Sequence, residues 1–393
     1  MAHDEIRRLL GRIDDDVRAF VARDAPPGLL TGACGAALFH AYYYRWTQDD
    51  AQLDALQRVL AHSLAAVAAE RPSSSHAGGL AGIAWCLQHL IDEGFLEAGS
   101  GDVFAQVDPM LGAAMTEQLA AGQHDFLHEG LGIALYFLER LPDPAARAHL
   151  ERAVASLEAS AAHARGVIRW ADRFTRGDAT PSYNLGLAHG TPGIMAVLAR
   201  CLELDVLPDR VAPLLHGAAR WLRGTRNPAG TGSRYPIRVD ADDRPQGTAR
   251  SRLGWCYGDL GVAIALHRAG SALGDRGCLD EAGAIFADTA RERTADNGMI
   301  ADASLCHGSM GVSHIFRRAA RATGHVALDA AADRWLAHTL ALAGSEIGLR
   351  AKLADAYVES DELLQGRIGI GLGLLAAVDR ETAPAWDRCL LLS

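Results

Sequence analysis

Leu305–Cys306–His307–Gly308–Ser309–Met310–Gly311 sets a thiol beside an imidazole and follows them with two glycines three residues apart. One repeat earlier, Trp255–Cys256–Tyr257–Gly258–Asp259–Leu260–Gly261 has the same Cys-x-Gly-x-x-Gly frame, with Tyr257 in the place of His307. The glycine pair decides the fold because it recurs, each time ahead of a strongly apolar segment. It stands at Gly32 and Gly35, Gly79 and Gly82, Gly190 and Gly193, and Gly366 and Gly369, and once as Glu129 and Gly132. The second glycines therefore fall at 35, 82, 132, 193, 261, 311 and 369. Steps of 47 to 68 residues fit one helical hairpin per repeat.

The segments after each glycine pair are apolar nearly all round, as in a helix walled on both sides. Between them lie amphipathic stretches with charged faces: Asp49–Ala69, Ala145–Ala164, Ala212–Arg223 and Leu328–Ala343. Asp4–Ala22 is another, with Ile6, Leu9, Leu10, Ile13, Val17 and Phe20 on one stripe and Pro26 and Pro27 ending it. Seven inner and seven outer helices closing into a ring predict an all-α fold, an α/α toroid (a double barrel) that takes residues 1–393 as a single domain. The glycines let the chain turn sharply and approach its neighbours where inner helices start. The inner N-termini then point to one end of the ring, where they favour a thiolate or another anion. Two segments do not fit helix: Gly166–Tyr183, with Gly177, Pro181 and Ser182, and Gly224–Arg252, with Pro228, Pro236 and Pro245. They read as loops or short strands over that end, before repeats four and five, and as candidates for substrate contact.

Composition narrows the class. The chain has 393 residues, 49% of them apolar and 22% charged, which is a globular balance with ample core. A formal charge of −10 argues against a nucleic-acid partner held by its phosphates. The N-terminus shows no apolar signal region, and no run of about 18 apolar residues reads as a membrane span. Seven scattered cysteines, an odd number, do not make a disulfide framework, so the expected compartment is the reducing cytoplasm.

Cys256, Cys306 and His307 are three soft ligands at equivalent places in two successive repeats, the ligand count of a catalytic zinc site with an open fourth position. The alternative reading of each cysteine is a small buried apolar residue. His189, in Leu187–Ala188–His189–Gly190–Thr191–Pro192–Gly193, takes the slot of Tyr257 and His307; it reads as a helix-start packing residue or as an acid/base group. Asp125, in His124–Asp125–Phe126–Leu127–His128 just before repeat three, reads as an N-cap or loop carboxylate or as a functional group. Arg252 and Tyr257 flank Cys256, with a surface ion pair and a packed ring as their ordinary roles. His128 also approaches the centre and ranks below His189.

Trp255–Cys256–Tyr257–Gly258, Cys306–His307–Gly308 and Leu187–Ala188–His189–Gly190–Thr191–Pro192–Gly193, together with the seven glycine repeats, resemble the lanthionine synthetase C family: lantibiotic cyclases and LanC-like proteins. The resemblance implies a double seven-helix barrel around one zinc ion, with ligands at Cys256, Cys306 and His307. It implies acid/base roles at His189 and Asp125, and places the family's arginine and tyrosine at Arg252 and Tyr257. Glu129 departs from the repeat pattern at the first glycine of repeat three. The implied activity is addition of a cysteine thiol to a dehydroalanine or dehydrobutyrine of the same precursor peptide, giving a lanthionine or methyllanthionine ring. Implied partners are the precursor peptide with its leader segment and a separate dehydratase, since the chain reads as the stand-alone form. A membrane-bound transporter complex is also admitted, which would place the cytoplasmic protein peripherally at the membrane. The alternatives are a LanC-like enzyme adding glutathione or another thiol to dehydrated protein residues, a zinc-stabilised docking scaffold, and an α/α-barrel glycosidase. The Cys, Cys-His set argues against the glycosidase.

Overall fold

The computed structural model describes residues 2–70, 72–97, 104–172, 181–248 and 250–393. Its helices, in chain order, are α1 Ala2–Ala22, α2 Ala33–Thr47, α3 Asp50–Glu70, α4 Leu80–Asp92, α5 Val107–Ala120, α6 Gly130–Glu139 and α7 Pro144–Ser160. They continue as α8 Thr191–Glu203, α9 Pro208–Gly224, α10 Asp259–Leu273, α11 Arg276–Glu292, α12 Ser309–Thr323, α13 Val326–Ala343 and α14 Arg367–Val378. The even-numbered helices are the seven inner ones, six after a glycine pair and α6 after Glu129 and Gly132. No helix among the described residues is long and apolar enough to cross a membrane.

Contacts divide the chain into two compact units, residues 103–299 and a second made of 1–102 with 300–393. In the second unit, inner helix α2 packs on outer α3, α12 on α13, and α14 on α1, while α12, α14, α2 and α4 follow one another side by side. In the unit 103–299, α6, α8 and α10 are consecutive neighbours, backed by α5, α7, α9 and α11.

Why glycine opens each inner helix is visible in the backbone. The outer helices α7 and α11 are capped by the side chains of Asp143 and Asp275. None of the seven inner helices has a side-chain cap. Their first N–H groups turn to the backbone instead: Ala33 donates to the Pro26 carbonyl at 2.7 Å, Leu80 to Ser73 at 2.7 Å, and Arg367 to Ser360 at 3.0 Å. The same carbonyl crowds the preceding residue. A Cβ on Gly32 would lie 2.0 Å from the Pro26 oxygen, and one on Gly79 2.3 Å from that of Ser73. The second glycine is crowded likewise, by the carbonyl six residues before it: 1.9 Å at Gly82, 1.9 Å at Gly311 and 1.8 Å at Gly369. It also meets the preceding repeat, as where Gly82 abuts Leu29 and Gly261 abuts Leu187.

The irregular segments are short antiparallel hairpins and one longer pairing. β1 (Ala162–Ala164) pairs β2 (Val167–Arg169), and β3 (Tyr183–Asn184) pairs β4 (Arg238–Val239), so the two excursions read from sequence meet each other. Gly177 lies outside the described residues. A third hairpin, β5 (Ala351–Leu353) with β6 (Ala356–Val358), is not signalled by the repeat pattern. Three boundaries differ from the sequence expectation. Helix α7 stops at Ser160 because 162–164 becomes strand, α9 starts at Pro208 with proline at its first position, and α13 starts at Val326. The second excursion is pinned to the start of α10. Buried Asp259 accepts the backbone N–H groups of Arg234 and Tyr235 at 3.0 Å each, and Arg293 sits 3.4 Å from the same carboxylate.

Gly82→Ala should destabilise the protein by about 1–3 kcal/mol, because carbonyl and leucine must both give way. Gly11→Ala, in α1 with nothing within 4 Å of the added carbon, should be neutral or stabilising by about 0.5–1 kcal/mol. Thermal melts of the two variants check this; equal melting temperatures would refute the crowding account.

Candidate active site

The turn before each inner helix carries the residues of interest, and backbone hydrogen bonds hold successive turns in register. In the unit 103–299, Phe126 N–H donates to the Ala188 carbonyl at 3.2 Å and Ala188 N–H to the Cys256 carbonyl at 3.4 Å. In the other unit, Cys306 N–H donates to Leu364 at 2.9 Å, Leu364 to Leu30 at 3.4 Å, and Leu30 to Ala77 at 2.8 Å. The cysteines thus occupy one position of a repeated frame, five residues before the second glycine, where the other repeats carry Leu or Ala. Both are buried, and His307, one residue on, is half-buried. Gly258 needs glycine twice over: its φ is +101°, and a Cβ would lie 2.0 Å from the Arg252 carbonyl.

His189 and Asp125 come together as expected. Asp125, 5% exposed, sits 2.5 Å from Nδ1 of His189 through one carboxylate oxygen. The other oxygen accepts the N–H groups of Leu127 and His128 at 2.9 Å each, which fixes the carboxylate in a tight turn. The contact places a proton on Nδ1 and leaves Nε2 for exchange. Burial works against a charged ring, but the hydrogen bond and the negative charge of Asp125 outweigh it, so the His189 pKa lies above its ordinary value of 6.5. The His189 ring stacks on Tyr257, with centroids 5.3 Å apart. Burial pushes the Tyr257 phenol up.

Around the pair lies a pocket lined by Trp170, Asp172, Asn184, Asp125, Glu129 and His189. Three of these were not singled out from sequence. Asn184 is fully buried, and its amide nitrogen lies 3.3 Å from the Tyr257 oxygen and 3.4 Å from Asp172. Asp172 is ion-paired with Arg238 at 2.5 Å. A faint signal existed for Asn184. Nine residues before the second glycine, Ser73, Asn184, Asp302 and Ser360 each accept the N–H two residues on, so a short polar residue recurs there. Arg252 holds that slot in repeat five. It is half-buried, and its side chain makes no hydrogen bond or ion pair among the described residues. His128 is exposed. Glu129, in a glycine slot, spans back to accept the Asp125 N–H at 2.9 Å, so the departure from the pattern supports Asp125.

Helical hairpins led by glycine turns, with a buried carboxylate–imidazole contact at those turns, define an α/α-hairpin protein. A family model described as "Lanthionine synthetase C-like protein" matches residues 23–391, and the chain belongs to that family. Among solved structures it is similar to "Nisin cyclase", with a TM-score of 0.78, 16% identity, and coverage of 97% of this chain and 96% of that one. It is also similar to the GH76A alpha-1,6-mannanase from Salegentibacter sp. HEL1_6, at a TM-score of 0.50 and 12% identity, over 94% of this chain and 99% of that one. These likenesses are of fold, and the fold class is the α/α toroid expected from the repeats.

Asp125→Asn removes the charge that holds the His189 proton. Histidine NMR titration should show the His189 pKa falling in the variant, so that the ring loses its proton at lower pH than in the parent. An unchanged His189 titration would remove Asp125 from its control.

Proposed function

We propose that the protein is a zinc-dependent cyclase that adds cysteine thiols to dehydroalanine or dehydrobutyrine of a precursor peptide, forming (methyl)lanthionine rings. The observation that carries this reading is the His189–Asp125 pair at the inner turns of a family member whose two cysteines occupy one equivalent turn position. Cys256, Cys306 and His307 would hold the ion. Two thiols and an imidazole are donors that suit zinc, and burial of both thiols keeps them from competing reactions. An ion bound by these residues would supply Lewis acidity that lowers the pKa of the substrate thiol.

The chain's own residues account for the remaining proton chemistry. Addition of sulfur to the dehydro residue leaves an enolate that needs a proton at its α-carbon. His189, its pKa raised by the hydrogen bond and charge of Asp125 against the effect of burial, is the group proposed to deliver that proton from Nε2. Asp125 keeps the Nδ1 proton and the ring orientation through that transfer. Tyr257, stacked on the ring, and Arg252, six residues before Gly258, are the groups proposed for the enolate oxygen. The partners follow from the substrate: a precursor peptide with a leader segment, a dehydratase that supplies its dehydro residues, and a transporter complex in which the three can assemble. Cytoplasmic location is part of the same proposal. An acid/base pair this well constrained favours an enzyme over a docking scaffold, which has no use for it.

Zinc bound to the parent protein and to Cys306→Ala, measured by elemental mass spectrometry, tests the ligand set: about one ion per chain is expected in the parent and a large loss in the variant. His189→Ala should keep its zinc while thiol addition to a dehydrated peptide drops about 10²–10⁴-fold. Full zinc in Cys306→Ala would sink the metal assignment, and a normal rate in His189→Ala would sink the proton donor. A parent that adds glutathione but closes no ring would move the protein to the thiol-transfer alternative.

A further inference from the structure

Tyr257 is held by residues outside the His189–Asp125 pair. A Cβ on Gly186 would lie 2.7 Å from one Tyr257 ring carbon, so the glycine backbone lies against the tyrosine ring. His189 stacks on the ring. Asn184 meets the phenol oxygen at 3.3 Å through its amide nitrogen. The orientation of that amide is decided by its other contacts. Its oxygen accepts the Gly186 N–H at 2.8 Å, and its nitrogen also faces the Asp172 carboxylate at 3.4 Å. Asp172 is itself fixed, by Arg238 at 2.5 Å and by its backbone N–H donating to Ser182 at 2.7 Å. Asn184 and Arg238 are register partners in the β3–β4 pairing.

This chain of contacts has a direction. A carboxylate accepts one amide hydrogen of Asn184, and the second is left for the Tyr257 oxygen. An amide nitrogen cannot accept, so the phenol proton has to point away from Asn184. We propose that Asn184, oriented by the Asp172–Arg238 ion pair, is a positioning residue that fixes Tyr257 as a hydrogen-bond donor toward the reacting peptide. The inference rests on the cyclase reading above and deepens it. The two excursions act jointly here, since Asp172 comes from the first and Arg238 from the second. Together they set the direction of one O–H bond.

Asn184→Asp offers an acceptor in place of the donor and captures the phenol proton. In that variant kcat should fall about 10²-fold with KM little changed, as when a single enolate-oxygen donor is lost. Introduced into Tyr257→Phe, the same change should cost less than about threefold, because the donor it disables is already gone. Arg238→Lys keeps the cation and should retain most activity. Asn184→Ala covers failure of the aspartate variant to fold, with a smaller fall in kcat expected. The placement is read independently of turnover from the Cζ NMR signal of Tyr257 in 13C-tyrosine-labelled protein, which should shift in Asn184→Asp and Asn184→Ala. An unmoved signal overturns the proposal, as does a shifted signal with parental kcat, or full additivity with Tyr257→Phe. A parent protein with no thiol addition, but with a shifted Tyr257 signal in the variants, counts against the cyclase reading while supporting the placement.

Discussion

One backbone contact recurs at the inner helix starts: in α2, α4, α12 and α14 the first N–H reaches a carbonyl seven residues behind it. Alanine-rich apolar helices offer no polar side chain to cap themselves, so the turn has to supply the acceptor from the main chain. Bringing that oxygen in leaves no room for a Cβ on the residue just before the helix, and the next carbonyl closes off the residue three further on. In six of the seven inner repeats the Gly-x-x-Gly pattern meets that crowding, and Glu129 of repeat three is the one exception at the first position. Everything placed relative to those glycines, from the cysteine slot to the His189 slot, inherits the register that this contact imposes.

The same reasoning says what a sequence can disclose here. The inner helices were legible because the crowded turns favour glycine, so the constraint shows in residue identity at six first positions and at all seven second ones. Cys256, Cys306 and His307 were legible for a related reason, since two repeats read in one register place them at equivalent positions. The pairing of Asp125 with His189 followed from slot and resemblance together. Outer helix ends were less legible: Pro208 starts α9 where the apolar stripe alone suggested Ala212. The meeting of Asp172, Asn184 and Arg238 was invisible because it depends on strand pairing between residues 54 positions apart, 184 and 238. No periodicity encodes that contact. The hairpin at Ala351–Val358 escaped for the same reason, being too short to show alternation.

Two buried carboxylates tie the second excursion to neighbouring helices. Asp259 draws Arg234 and Tyr235 onto the first turn of α10, and Glu281 of α11 receives Arg226 at 2.6 Å and the Tyr235 hydroxyl at 3.1 Å. The costs of desolvating these carboxylates are offset by several donors each, including main-chain N–H groups that need acceptors anyway. In this way the excursion that carries Arg238 has a fixed base although it is rich in proline and glycine.

The backbone links between successive turns involve only main-chain atoms. The frame at the cysteine slot is consequently indifferent to which side chain stands there: Leu30, Ala188 and Leu364 meet it through both N–H and C=O, Ala77 and Cys256 through C=O, and Cys306 through N–H. Reactive groups can be exchanged for inert ones, or moved from one repeat to another, without rewriting the fold that carries them. Such a scaffold separates the inheritance of shape from the inheritance of chemistry, so members of one family can keep the turns and differ in what the turns present.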